Sequence, residues 1–154
     1  MRMPRVRQVL AVGVMSALLT PAITQAQAPR VVTLKASDAM KFDVTKIAAK
    51  PGESLRVRLV TTGTMPKAAM AHNFVLLKAG TDTAAFVMAA SMARATEFIP
   101  ASLKASVLAS TTLAGAGETV EVTFKAPTKP GTYVFICSFP GHFNSGMTGT
   151  LTVN

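Results

Sequence analysis

The chain has 154 residues but only one cysteine, Cys137, and two histidines, His72 and His142. Without a second cysteine, no disulfide can staple the fold within the chain. Stability must therefore rest on a hydrophobic core, for which this length is ample. Acidic residues are scarce as well: 7 Asp and Glu stand against 16 Lys and Arg, a formal net charge of +9. The basic residues are spread along the chain and not interleaved with aromatics, so the basic stripe of a nucleic-acid binder is missing. The surplus biases the chain toward acidic protein partners or anionic surfaces and says nothing of fold. No repeat, low-complexity tract or interdomain linker divides the sequence, and beyond the N-terminus no apolar run is long enough to span a bilayer.

The N-terminal stretch MRMPRVRQVLAVGVMSALLTPAITQAQA sets Arg2, Arg5 and Arg7 ahead of an apolar run from Val9 to Leu19, then small and polar residues ending in Ala26-Gln27-Ala28. This is the pattern of a secretory signal peptide. Its apolar run of about a dozen residues falls short of the ~20 a transmembrane helix needs, and no cysteine follows that could carry a lipid. Cleavage after Ala28 would put Pro29 in the disfavoured first position. Residues 1–26 are therefore expected to be removed, leaving 27–154 as one domain exported to the periplasm.

Export sharpens the question of Cys137. An unpaired thiol in an oxidising compartment needs an explanation: it is buried and inert, joined to another molecule, or held by a metal as thiolate. The surrounding eleven residues, CSFPGHFNSGM (137–147), also contain His142 and Met147.

Most of the remaining chain alternates with period two. Runs 31–37, 53–62, 72–80, 118–126, 131–138 and 148–153 are rich in Val, Thr, Phe and Leu and are separated by turn sequences such as KPGES and APTKPGT. This spacing predicts an all-β sandwich or barrel of antiparallel strands. Residues 81–106 depart from it: Phe86, Ala89, Ala90 and Ala93 recur with helical spacing behind Thr81 and Asp82, predicting a short helix that ends before Pro100 and packs outside the sandwich. On this reading His72 begins one strand, with Phe74 and Leu76 on its face, and Cys137 ends another, with Tyr133 and Phe135. Pro140 and Gly141 then help the following loop curl so that His142 and Met147 converge on the same point. One thiolate and two imidazoles suit copper. A thioether adds to copper(I) affinity and offers little to zinc or to harder ions.

MAHNF (70–74), CSFPGH (137–142) and GMTGTLTV (146–153), together with AMKFDVTKI (39–47) and TMPKAAM (64–70), resemble the cupredoxins, and among them the azurins. The resemblance implies a Greek-key β-sandwich with a short helical insertion, and one type 1 copper per chain. His72, Cys137 and His142 would be equatorial ligands and Met147 the axial one. It further implies that Asn73 and Ser138 tie the ligand loops together from behind the metal, and that the carbonyl of Ala71, where azurins usually have glycine, is the second axial candidate. Four residues separate His142 from Met147, as in auracyanins and plastocyanins, where azurins have three; the azurin disulfide is absent too. Met40, Met65, Pro66, Met70, Phe139, Pro140 and Gly141 match an apolar collar around the second histidine. The implied function is single-electron carriage, not enzymatic turnover, through transient docking with redox proteins such as c-type cytochromes or copper- and haem-containing reductases. Two other readings compete. A copper-trafficking or resistance protein would favour exposed, labile ligands, and a Cys-His hydrolase would need a third orienting residue that no motif supplies.

Overall fold

The computed structural model describes residues 27–154, so the expected signal segment, residues 1–26, lies outside the described residues. The strands are β1 (Arg30–Ser37), β2 (Lys41–Phe42), β3 (Lys46–Ala49), β4 (Ser54–Thr61), β5 (Val75–Leu77), β6 (Val107–Ser110), β7 (Thr119–Lys125), β8 (Gly131–Ile136) and β9 (Thr148–Val153). Between β5 and β6 lie helix α1 (Thr83–Ser91) and 3₁₀ turns at Arg94–Thr96 and Ala101–Ser106. One sheet has the order β2-β1-β4-β7 and the other β3-β9-β8-β5-β6. The chain crosses between sheets after β2, β3, β4, β6 and β7, making the expected sandwich.

Alternation along the strands builds the core between the sheets. β4 buries Leu55, Val57 and Leu59, and β1 buries Leu34 and Ala36. From the other sheet Leu76, Tyr133, Phe135, Leu151 and Val153 face them. Phe135 stands opposite Gly149 in the β8–β9 ladder, and a Cβ there would overlap its ring. Only glycine lets the ring lie flat over the neighbouring strand.

β5 is buried at all three of its residues. One face joins the sandwich core through Leu76. The other, Val75 and Leu77, packs with Ile136, Phe86, Val87, Ala90 and Phe98 in a second apolar cluster. The insertion thus covers the outer face of the sheet, and a strand covered on both sides loses its polar alternation. Asp82 caps α1 as its side chain accepts from the Ala85 N–H at 2.9 Å.

The structure corrects several expectations. The sheets are mixed: β1 runs parallel to β4, and β3 parallel to β9. The run 72–80 forms a strand only over Val75–Leu77. The buried face of α1 is Phe86, Val87 and Ala90, replacing the expected Phe86, Ala89, Ala90 and Ala93. Among the described residues no helix is long and apolar enough to cross a membrane.

Candidate metal centre

β8 and β9 are hydrogen-bonded neighbours, and the loop joining them carries three of the four expected donors. Cys137 follows the last ladder pair, Ile136 with Thr148, and its N–H donates to the Met147 carbonyl at 3.1 Å, closing the loop at its base. Within the loop the N–H of His142 donates to the Phe139 carbonyl (3.2 Å) and that of Met147 to the His142 carbonyl (2.9 Å). These tight turns fold the segment inward, with Gly141 taking a left-handed φ of 84° at the outermost point.

His72 comes from the opposite side. It does not start a strand; its backbone exchanges two hydrogen bonds with Ala114, at 2.9 and 2.8 Å, in an isolated bridge. That pairing with the loop after β6, which the sequence reading did not single out, fixes where the imidazole enters.

His72, Cys137 and His142 each offer a donor atom, and these atoms all lie within 4.8 Å of one another. The Cys137 sulfur is 3.4 Å from His142 Nδ1, and the two imidazole centroids are 4.8 Å apart. Both histidines are 2 % exposed, and Cys137, Met147 and Ala71 are fully buried. The Ala71 carbonyl lies 4.0 Å from the Cys137 sulfur, facing the same cluster.

Burial lowers the His72 pKa and, with the neighbouring His72 adding a Coulombic penalty, brings His142 down to about 4. It pushes the Cys137 thiol up to about 12, although the backbone N–H groups of Asn73 and Phe139 oppose the rise. Both imidazoles are therefore neutral at neutral pH, with lone pairs free, while the thiol needs a cation to ionise it. His72 Nδ1 is the one buried side-chain nitrogen or oxygen among the described residues with no hydrogen-bond partner. A buried ring nitrogen left without a partner beside a thiol and a second imidazole is what a metal-ligating set requires, and the soft donor types fit copper.

Asn73 and Ser138 link the two sides. The Ser138 N–H donates to Asn73 Oδ1 and the Asn73 amide donates to Ser138 Oγ, both at 2.9 Å, and both residues are fully buried. The Asn73 amide also reaches the Glu97 carbonyl at 3.4 Å, a connection to the insertion that sequence spacing did not reveal.

The expected collar is apolar but unevenly exposed. Met65 is 41 % exposed, Pro66, Pro140 and Gly141 are exposed, and Met40, Met70 and Phe139 are half-buried. Met40 is engaged: its sulfur accepts from the Ser145 hydroxyl at 3.6 Å, and next to it the Lys41 amino group donates to the Ser145 carbonyl. The 64–70 loop is anchored at Thr64, whose N–H donates to Asp38 at 2.8 Å, and by the Lys67–Glu118 ion pair at 2.7 Å.

Comparison with known proteins follows the same lines. A sequence model of copper binding proteins, the plastocyanin/azurin family, matches residues 29–154. Auracyanin-B of Chloroflexus aurantiacus is 37% identical over 132 residues, covering 85% of this chain and 54% of that protein, so the chain spans about half the length of that relative. Azurin of Alcaligenes faecalis is 36% identical over 123 residues, 78% of this chain and 94% of that one. The solved structure of auracyanin A, a "blue" copper protein from Chloroflexus aurantiacus, aligns with a TM-score of 0.73 at 33% identity, over 82% of this chain and 100% of that chain. The resemblance first carried by a few short motifs thus extends through the whole sandwich: the chain belongs to the plastocyanin/azurin family of copper-binding proteins, and copper is its cofactor.

Proposed function

We propose that this protein is a periplasmic electron carrier whose single type 1 copper would be held by His72, Cys137 and His142, with the Met147 thioether as a weaker fourth donor and the Ala71 carbonyl as a further candidate. The observation that carries this reading is the buried cluster of two neutral imidazoles and a thiol, with His72 Nδ1 left unpartnered. Copper bound there supplies a one-electron couple. The protein's contribution is to fix the donors, keep water out and let a partner come close. Asn73 and Ser138 hold the ligand loops in register, and the sandwich core under Cys137 and Met147 resists displacement of either. Phe139 lies against the His142 ring at 4.8 Å, and Met65, Pro66, Pro140 and Gly141, all exposed, are the residues on which we place the docking face. A small apolar face suits brief docking with c-type cytochromes or with copper- and haem-containing reductases, since a modest interface dissociates quickly.

The competing readings fit less well. Copper trafficking favours exposed, exchangeable ligands, whereas these histidines are 2 % exposed and Cys137 and Met147 fully buried. A Cys-His hydrolase needs a readily formed thiolate, whereas burial raises Cys137 to about 12 and lowers His142 to about 4.

The test is optical and kinetic. Copper(II)-loaded protein should show an intense visible thiolate-to-copper band that reduction bleaches. Cys137→Ser should abolish it, His72→Ala should weaken or reshape it, and a Cys137→Ser protein that stays coloured would reject the site. Met65→Lys and Met70→Lys should slow electron self-exchange severalfold with the spectrum unchanged; wild-type rates in both would move the docking face elsewhere.

A further inference from the structure

The helical insertion packs on the outside of the sheet, yet two consecutive residues of it touch Asn73 and Phe139, the residues that lie against the candidate ligands. Glu97 and Phe98 both adopt the left-handed conformation, with φ of 53° and 61°. This region is uncommon for any residue but glycine, asparagine or aspartate, and for a bulky side chain it marks a constrained turn. The turn is held from several sides. The N–H of Phe98 donates to the Ala93 carbonyl at 2.9 Å, that of Glu97 to the Arg94 carbonyl at 3.2 Å, and the Thr96 hydroxyl to the Ile99 carbonyl at 2.7 Å.

What the turn accomplishes is visible in where its two residues point. The Glu97 carbonyl meets the Asn73 amide at 3.4 Å, and Asn73 holds the backbone N–H of Ser138, the neighbour of Cys137. The Phe98 ring turns inward, 7 % exposed, and meets Phe139 edge-on with centroids 5.1 Å apart. Phe139 in turn lies 4.8 Å from the His142 imidazole. One route thus ends beside Cys137 and the other on His142, and both start from adjacent residues. An ordinary extended or helical backbone at 97–98 would not present the carbonyl and the ring to these two targets together.

We infer that Glu97 and Phe98 are positioning residues for the copper centre: their left-handed turn is a buttress that fixes the plane of the His142 imidazole and the backbone beside Cys137 before any metal arrives. The inference rests on the reading of His142 and Cys137 as ligands given above. Because outer partners of ligating side chains set ring orientation and metal affinity, the buttress should be read in both the metal-free and the loaded protein.

Three variants test it: Phe98→Leu, which removes the ring; Phe98→Met, which removes it with less loss of volume; and Phe98→Tyr, which keeps it. In metal-free protein, NMR relaxation of the His142 ring should show exchange broadening in Phe98→Leu and wild-type behaviour in Phe98→Tyr. In copper-loaded protein, Phe98→Leu should surrender copper(II) to a chelator about tenfold faster and change the relative intensities of the visible bands, with Phe98→Tyr again like wild type. A Phe98→Leu protein with a lowered melting temperature but wild-type ring dynamics, and copper release within about twofold of wild type, would overturn the inference and leave Phe98 a packing residue. Should Phe98→Leu not fold, Phe98→Met decides by the same criteria. Absence of a thiolate band in the wild-type loaded protein would refute the ligand reading, and the metal-free ring dynamics would still decide the buttress.

Discussion

Replacing Asn73 by alanine tests how the two ligand-bearing segments are joined. Asn73 Oδ1 takes the Ser138 N–H and its amide donates to Ser138 Oγ, both at 2.9 Å, in a place where neither residue is exposed. Asn73→Ala leaves the Ser138 N–H without a partner and out of reach of water, which costs about 1–3 kcal/mol. The Ser138 hydroxyl loses its partner as well, roughly another 1 kcal/mol. The longer hydrogen bond from the Asn73 amide to the Glu97 carbonyl, 3.4 Å, is weaker than either of these and adds a smaller contribution, while it orients the amide toward Ser138. The total is about 3 kcal/mol. Ser138→Ala keeps the bond between its own N–H and Asn73, and the buried Asn73 amide that loses the hydroxyl retains the Glu97 carbonyl as an acceptor, so about 1 kcal/mol is expected. At about 3–5 °C per kcal/mol for a domain of this size, the midpoints should fall by about 10 °C and about 4 °C. The measurement is urea and thermal unfolding of metal-free protein, because bound metal would raise both midpoints by mass action. Equal losses in the two variants, or a loss below about 1 kcal/mol for Asn73→Ala, would refute the claim that this side chain holds the Ser138 backbone.

Other outcomes are expected from the same structure. Met147→Leu should leave the copper-loaded protein coloured and raise its reduction potential, since losing the thioether and adding an apolar group both disfavour the more highly charged copper(II) state; voltammetry showing a clear fall would contradict an axial role. Burial lowers His142 to about 4 in the folded metal-free protein, so between its unfolded value of about 6.5 and 4 the unfolded chain binds the extra proton. Stability should therefore fall as pH drops through that window, and the dependence should shrink in His142→Gln; urea melts at several pH values read this directly. Gly149→Ala places a Cβ into the Phe135 ring and 2.6 Å from the Thr45 carbonyl oxygen, and overpacking of this kind should lower stability by about 1–3 kcal/mol in denaturant melts.

Strands with a strong period of two were legible from the sequence. β9 matches its expected range, 148–153, and β1, β4, β7 and β8 match theirs to within one or two residues at each end. β3 and β6 were not. KIAA (Lys46–Ala49) and VLAS (Val107–Ser110) are four residues each with little β-branched content; β3 becomes a strand against the longer β9, and β6 by pairing with the buried, three-residue β5. Nor could alternation announce the parallel pairings, since a strand's own pattern states which face is buried and not which neighbour it has. The 72–80 run misled because its two ends do different work: His72 is fixed by Ala114 and Lys78 donates to the Ser106 carbonyl, leaving only the middle in the ladder. The gathering of Cys137 with the two histidines was legible, as a lone cysteine and the only two histidines of the chain are hard to assign otherwise. Glu97 and Phe98 were not, because a left-handed turn built from glutamate and phenylalanine has no compositional mark; tertiary packing imposes it.

The pairing of β3 with β9 has a bearing on how the molecule comes into being. Lys46 is aligned with Thr150 and Ala49 with Val153, so one of the earliest strands completes its sheet only against the last. His72 waits in the first half of the chain for Cys137, His142 and Met147, which are delivered by the hairpin ending in that same strand. Such long-range closure is entropically expensive and slow to form. A chain still being synthesised therefore has loose donors in place of a site, and the donor cluster is assembled only when the C-terminal strand zips home. Metal capture then reports completion of the fold, and removing β9 should cost the protein its sheet edge and its cofactor in one stroke.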